Sequence, residues 1–110
     1  MSKDIQIFQG NSVELVFNVT DPNGLAFNLE GATSVRFGIS TSPKKEAYLV
    51  LDLENGVHIS DEAGGVITVQ LDRDETSTVG CRVYELTVAF GSDVYTAAFG
   101  GLEILPSILK

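Results

Sequence analysis

Tryptophan is absent from this chain of 110 residues, and cysteine, histidine and methionine each occur once. The single cysteine, Cys81, excludes an internal disulfide and any cysteine-built zinc cluster, so the fold must hold by packing alone. Bases are also scarce. Seven Lys and Arg against fifteen Asp and Glu leave a net charge of −8, which repels a nucleic-acid backbone or an anionic membrane over most of the surface. Neither is expected as a partner, and the acidity itself reads as a solubility device. No apolar run approaches the roughly 18 residues that span a bilayer. The opening stretch "MSKDIQIFQG" has no continuous apolar h-region and no small-residue cleavage site, so no signal peptide is expected and synthesis in the cytoplasm is. Helical periodicity is nearly missing as well, and that absence directs attention to the period-2 pattern.

Alternation recurs along the whole chain. In "SVELVFNVT", Val13, Leu15, Phe17 and Val19 share one face, and Glu14, Asn18 and Thr20 the other. "TSVRFGIS" turns Val35, Phe37 and Ile39 inward. "AYLVLDL" places Ala47, Leu49, Leu51 and Leu53 together, "VITVQL" does so with Ile67, Val69 and Leu71, and "RVYELTVAF" with Tyr84, Leu86, Val88 and Phe90. Shorter apolar pieces at Ile5 to Phe8, Leu25 to Leu29 and Val94 to Phe99 bring the expected count to about eight strands. Between them lie turn sequences: "DPNG", "EGAT", "TSPKK", "LENG", "DEAGG" and "FGSD". Their shortness predicts mostly hairpin-linked, antiparallel strands. With turn signals about every 8–12 residues, the expected fold is a single all-β domain over residues 1–110, an antiparallel β-sandwich of about 7–8 strands. A small closed barrel is the competing geometry. "LDRDETSTVG" is the one helix-like turn: Asp72 caps it, Glu75 stands three residues on, and it is expected to carry the chain from one sheet to the other.

Catalysis needs converging groups of tuned acidity, and few are present. His58, in "NGVHISD", falls on the outward face of a short strand. Ser60, His58 and Asp61 compose a triad on paper, but neighbours along one strand cannot converge as a triad must. Cys81 has no second histidine to activate it and is expected to be a passive, part-buried thiol. Asp72, Asp74 and Glu75, with Asp61 and Glu62, are the loop acids closest to a calcium site, yet neither group follows the EF-hand pattern. Gly64-Gly65 is read as a turn, and Gly100-Gly101 as a bulge in the last strand, since no Lys and Ser/Thr helix follows either pair. Asn18 opens a formal glycosylation sequon that is read as strand surface. Tyr84 is either an ordinary core tyrosine or a tyrosine corner whose hydroxyl bonds back to the upstream chain. No catalytic, cofactor or metal residue is assigned.

The order of these segments carries a resemblance. "VELVFNVTD", "PNG", "FNLEGATSVRFGI", "GVHISDEAGGVITVQLDRDET" and "CRVYELTVAFGSDVYTAAFGGLEI", spanning Gln9 to Ile104, resemble small bacteriophage structural proteins with an immunoglobulin-like sandwich, including the N-terminal domain of phage baseplate upper proteins. The resemblance implies an immunoglobulin-like fold and a non-enzymatic virion component, such as a capsid decoration protein, a neck or tail adaptor, or a baseplate piece. It implies assembly in the host cytoplasm and partnership with other phage structural proteins or further copies of the chain. No C-terminal extension like that of the large baseplate proteins is expected, which favours a small accessory subunit. Val16, Tyr48 and Val50, expected on outward faces, and Ile108 and Leu109 in the tail "LPSILK" are the candidate interface residues. The tail residues either fold back on the core or dock on a neighbour. A carbohydrate- or receptor-binding module is the alternative, and it needs a loop-end aromatic cluster that tyrosines placed within strands do not suggest.

Overall fold

Side chains that alternate in hydropathy alternate in exposure. Phe17 is 2% exposed and its neighbour Val16 is 48% exposed, because successive residues of a strand point to opposite sides of the sheet. The computed structural model describes residues 4–109. Its strands are β1 (Ile5–Phe8), β2 (Val13–Asn18), β3 (Ser34–Ser40), β4 (Leu49–Asp52), β5 (Val57–Asp61), β6 (Val66–Leu71), β7 (Gly80–Phe90) and β8 (Asp93–Leu105). They form a five-stranded sheet ordered β1-β8-β7-β3-β4 and a three-stranded sheet ordered β2-β6-β5. No helix occurs among the described residues. The fold is therefore all-β, a two-sheet sandwich rather than a closed barrel.

The inward residues named from alternation make the core. Val35, Phe37 and Ile39 of β3, Ile67, Val69 and Leu71 of β6, and Tyr84, Leu86 and Val88 of β7 are all buried. Three rings bridge the layers. Phe17 of the smaller sheet lies 6.0 Å from Phe37 and 5.7 Å from Tyr84, and those two larger-sheet rings stack at 5.7 Å. Each such side chain removed from water contributes about 1.5–3 kcal/mol, and the ring pairings add about 0.5–1.5 kcal/mol. Tyr84 is thus built into the sheet-to-sheet contact.

The connections differ from the expectation of mostly hairpins. Only three of the seven are hairpins, β3–β4, β5–β6 and β7–β8, and the other four cross between sheets. β1 runs parallel to β8, with Ile5 opposite Leu102 and Ile7 opposite Ile104, which no short turn can produce. The crossover from β6 to β7 is the capped turn expected of "LDRDETSTVG". Glu75 N–H donates to Asp72 Oδ1 at 2.9 Å, and Asp72 N–H donates to Glu75 Oε1 at 2.8 Å, the reciprocal capping-box arrangement. Thr76, fully buried, fastens this turn by donating its hydroxyl to the Asn11 carbonyl at 2.8 Å.

Three local expectations need correction. Leu25–Leu29 is not a strand. Asp21 Oδ1 accepts the N–H groups of Asn23 and Leu25, so an aspartate side chain serves backbone groups that a ladder would use. Thr20 and Ala26 form only an isolated bridge, and Leu29 is buried as a plug with its N–H on the Glu62 carbonyl at 2.8 Å. The last-strand bulge lies at Ala97, between the Leu86–Ala98 and Thr87–Thr96 pairs, while Gly100 and Gly101 stay in register. Leu53 falls past the end of β4 and is exposed, because Asp52 and Asn55 exchange both backbone hydrogen bonds in a tight turn.

"DPNG" is a turn closed by Gly24 N–H on the Asp21 carbonyl at 2.9 Å, with Gly24 at φ +82°. Gly65 also has a positive φ, +71°, but a Cβ there would stand 2.6 Å from the carbonyl oxygens of Val19 and Phe27. Gly24 has nothing within 4 Å of that position. Gly24→Ala is expected to cost about 1–2 kcal/mol of left-handed strain alone, and Gly65→Ala about 1–3 kcal/mol more from overpacking. Urea unfolding of the two variants checks this, with the larger fall in midpoint at Gly65.

Candidate interface on the outer face of the larger sheet

The outward face of the five-stranded sheet can be read rung by rung from its register. Val50, Gly38, Glu85 and Phe99 lie opposite one another across β4, β3, β7 and β8, and Asp52, Arg36, Thr87 and Thr96 make the next rung. A solvated sheet face ordinarily carries polar side chains, but this rung is apolar at both ends. Val50 and Phe99 are 41% and 50% exposed. At its centre Gly38 contributes no side chain, which leaves a trough. Ala47 lies 3.1 Å from where a Gly38 Cβ would stand, so the β3–β4 loop leans over the sheet as a wall.

That wall is held by a buried hydroxyl. Ser40 Oγ lies 2.8 Å from the Ser42 carbonyl and 2.9 Å from the Lys45 carbonyl, and can donate to either. The resulting concavity is 910 Å³ and is lined by Val50, Val83, Phe99, Pro43 and Ala47, with Arg36, Lys45 and Glu85 as its charged side chains. Glu85 Oε2 accepts the Thr96 hydroxyl at 2.8 Å, which occupies part of its hydrogen-bonding capacity. A second, smaller concavity of 440 Å³ lies beside it, near Tyr48, Lys45, Asp74 and Arg82, where Arg82 Nε donates to Tyr48 Oη at 3.2 Å.

The five candidate residues do not form one surface. Val50 lies in the trough, Tyr48 borders the neighbouring concavity, and Val16 is on the far side of the molecule. On that far face Val16 sits opposite Thr68, itself opposite His58, and beside the Glu14–Gln70 hydrogen bond of 3.4 Å. A lone valine among polar neighbours is ordinary surface. Ile108 and Leu109 do not fold back on the core; they are 99% and 90% exposed. Val83 and Phe99 were missed because their alternation was credited only to the inward face, and the glycine gap at Gly38 had no spatial meaning until β4 and β7 flanked it.

The chemical groups are dispersed. Asp61 Oδ1 accepts the Gly64 N–H at 3.0 Å, and the Ser60 hydroxyl pairs with Thr68 rather than with His58. Cys81 is exposed rather than part-buried, because it lies beyond the end of β3, whose last pairing with β7 is Ser40 to Val83. Among the described residues no three His, Cys, Asp or Glu side chains are placed to hold a metal ion. A loop-end aromatic cluster does exist, contrary to expectation. Phe27 from the Asp21–Leu29 loop meets Phe90 at 6.0 Å and Tyr95 at 6.3 Å, and Phe90 meets Tyr95 at 6.1 Å. The turn "FGSD" folds Tyr95 back toward Phe90, a proximity that spacing of five residues does not announce.

Comparison with protein-family models and with curated proteins finds no match to this chain.

Burial raises the Tyr84 hydroxyl above the ordinary tyrosine pKa of 10.0, and the nearby Asp4 carboxylate adds to the shift. The protonated form is thus favoured in the folded state. Below pH 10 both states hold the proton and the contribution is intact; above it the unfolded chain releases the proton first, so stability falls until the folded pKa is passed. Tyr84→Phe is expected to lower stability at neutral pH and to flatten the decline in stability above about pH 10. Chemical unfolding at a series of alkaline pH values measures that slope, and an unchanged slope would contradict the assignment.

Proposed function

We propose that the protein is a non-enzymatic structural subunit of a bacteriophage particle, acting through protein–protein interfaces. It assembles in the host cytoplasm against capsid, neck, tail or baseplate proteins. The observation that carries the interface part is the apolar trough on the outer face of the larger sheet, where a solvent-facing sheet would place polar side chains. Val50 and Phe99 stand exposed there at the two ends of one rung, on β4 and β8 with β3 and β7 between them, supported by a rigid scaffold rather than a flexible loop. The resemblance of the ordered segments from Gln9 to Ile104 supplies the phage assignment. An immunoglobulin-like sandwich is supported by the strand order: β2-β6-β5 follows the B-E-D order, and β8-β7-β3-β4 the G-F-C-C′ order, of such sandwiches.

The non-enzymatic reading is supported by the separate partners of Ser60 and Asp61, which pair with Thr68 and the Gly64 N–H rather than with His58, and by the place of Cys81 on another sheet. The acidic balance supports protein partners over nucleic acid or membrane. One observation favours the second reading, a carbohydrate- or receptor-binding module: the Phe27–Phe90–Tyr95 cluster lies at the β7–β8 end, with Tyr95 half exposed beside it. An exposed aromatic ring is a stacking surface for an apolar sugar face.

Mass spectrometry of purified particles from the source is expected to find this protein in stoichiometric amount, and its absence would overturn the virion reading. Saturable binding on a glycan array, lost in Tyr95→Ala and retained in Val50→Glu, would move the function to the second reading.

A further inference from the structure

The tail and the trough are complementary parts, and we infer that Ile108 and Leu109 of one copy seat in the outer-face trough of a second copy, joining the chain to itself head to tail. The inference deepens the interface reading above and rests on it for its biological setting.

Shape selects the kind of occupant. Two concave faces brought together would leave a void, and protein contacts are packed nearly without voids larger than water. A trough of 910 Å³ therefore calls for an inserted, protruding segment. Among the described residues the most exposed large apolar side chains are Ile108 at 99% and Leu109 at 90%, with Leu25 next at 66%. A monomer gains nothing by holding two adjacent aliphatic side chains in water, and each is worth burying.

Chain geometry excludes the molecule's own tail. The trough floor is the rung containing Glu85 and Phe99, and β8 continues six residues beyond Phe99 to Leu105 before the tail begins. That run is roughly 20 Å at about 3.3 Å per strand residue. Residues 106–109 reach about 14 Å fully extended, less once a reversal is included. The tail can approach the Val83 rim of its own trough, opposite Gly101, but can fill the centre at Gly38 and Phe99 only on another molecule.

Charge does not bar a copy of this chain as the occupant. The trough sets Arg36 and Lys45 beside Glu85, whose carboxylate accepts the Thr96 hydroxyl. Residues 106–109 bring no ionised side chain to be desolvated against them. Room for a wider contact also exists, since the molecule measures 42 by 28 Å along its two longest axes and a standard interface takes about 800 Å² per partner. A head-to-tail contact of this kind is heterologous, and it generates a ring if the rotation closes and a filament if it does not.

The test is sedimentation velocity of the full chain over a wide concentration range, at low and at high salt. Wild-type protein is expected to show an average mass that rises with concentration, at least as steeply at high salt, where repulsion between two chains of net charge −8 is screened. Ile108→Ser/Leu109→Ser is expected to weaken this association at least about tenfold, as loss of two buried aliphatic side chains requires. Val50→Glu is expected to weaken it similarly, and Phe99→Ser serves if Val50→Glu fails to fold. An equimolar mixture of the tail variant and the trough variant should stop at a heterodimer, because each retains the half that the other has lost. A wild-type chain that stays monomeric throughout, or association untouched by the tail variant, would overturn the inference. Monomeric protein that is nonetheless present in particles would overturn the self-docking alone. Self-association of a protein absent from particles would overturn the virion reading alone.

Discussion

The structure depends on one contact between layers, the three rings of Phe17, Phe37 and Tyr84. Phe17 is the smaller sheet's contribution, and it reaches both larger-sheet rings at about their van der Waals separation. A sheet has one apolar face that must be buried against something, and with no helix available the only partner is the other sheet. Around the rings lie the aliphatic side chains of β3, β6 and β7, all buried. With a single cysteine and so no internal disulfide to staple the fold, this packed layer carries the opposition to the conformational entropy of the chain.

The same contact decides where function can lie. Once the inward faces are committed to each other, each sheet keeps one outer face, and the two faces are chemically different. The smaller sheet shows water a polar surface of Glu14, Gln70 and His58 around the buried Thr68. The larger shows Val50, Phe99 and the glycine gap between them, overhung by a loop that Ser40 holds in place. Both are sheet surfaces, but among the described residues the concavity flanked by exposed Val50 and Phe99 lies on the larger. The aromatic cluster at the β7–β8 end is a third surface, formed where the Asp21–Leu29 loop packs against a hairpin.

Much of the fold was legible because alternation is local. Val35, Phe37 and Ile39 take the same face whatever strand lies beside them, and "DPNG" turns wherever it is placed, since Pro22 fixes its φ and Gly24 accepts a positive one. The Asp72–Glu75 capping box was visible for the same reason, its partners being three residues apart. Leu25–Leu29 suggests a strand by its apolar residues, but its N–H groups go to three separate acceptors: Leu25 to the Asp21 side chain, Phe27 to the Val19 carbonyl and Leu29 to the Glu62 carbonyl. The bulge was assigned to Gly100-Gly101 for their composition; the register places it at Ala97, where pairing with β7 slips.

The sequence by itself determined which side chains face inward, where the chain turns, and that the protein must hold together without an internal disulfide. These follow from the geometry of single residues and near neighbours. Only the tertiary structure decided the sheet order, the parallel pairing of β1 with β8, and the assembly of Val50, Gly38, Glu85 and Phe99 into one rung. Those four residues come from four strands spread over some sixty positions of sequence, and no local rule can reveal a surface that exists only once non-adjacent strands have paired.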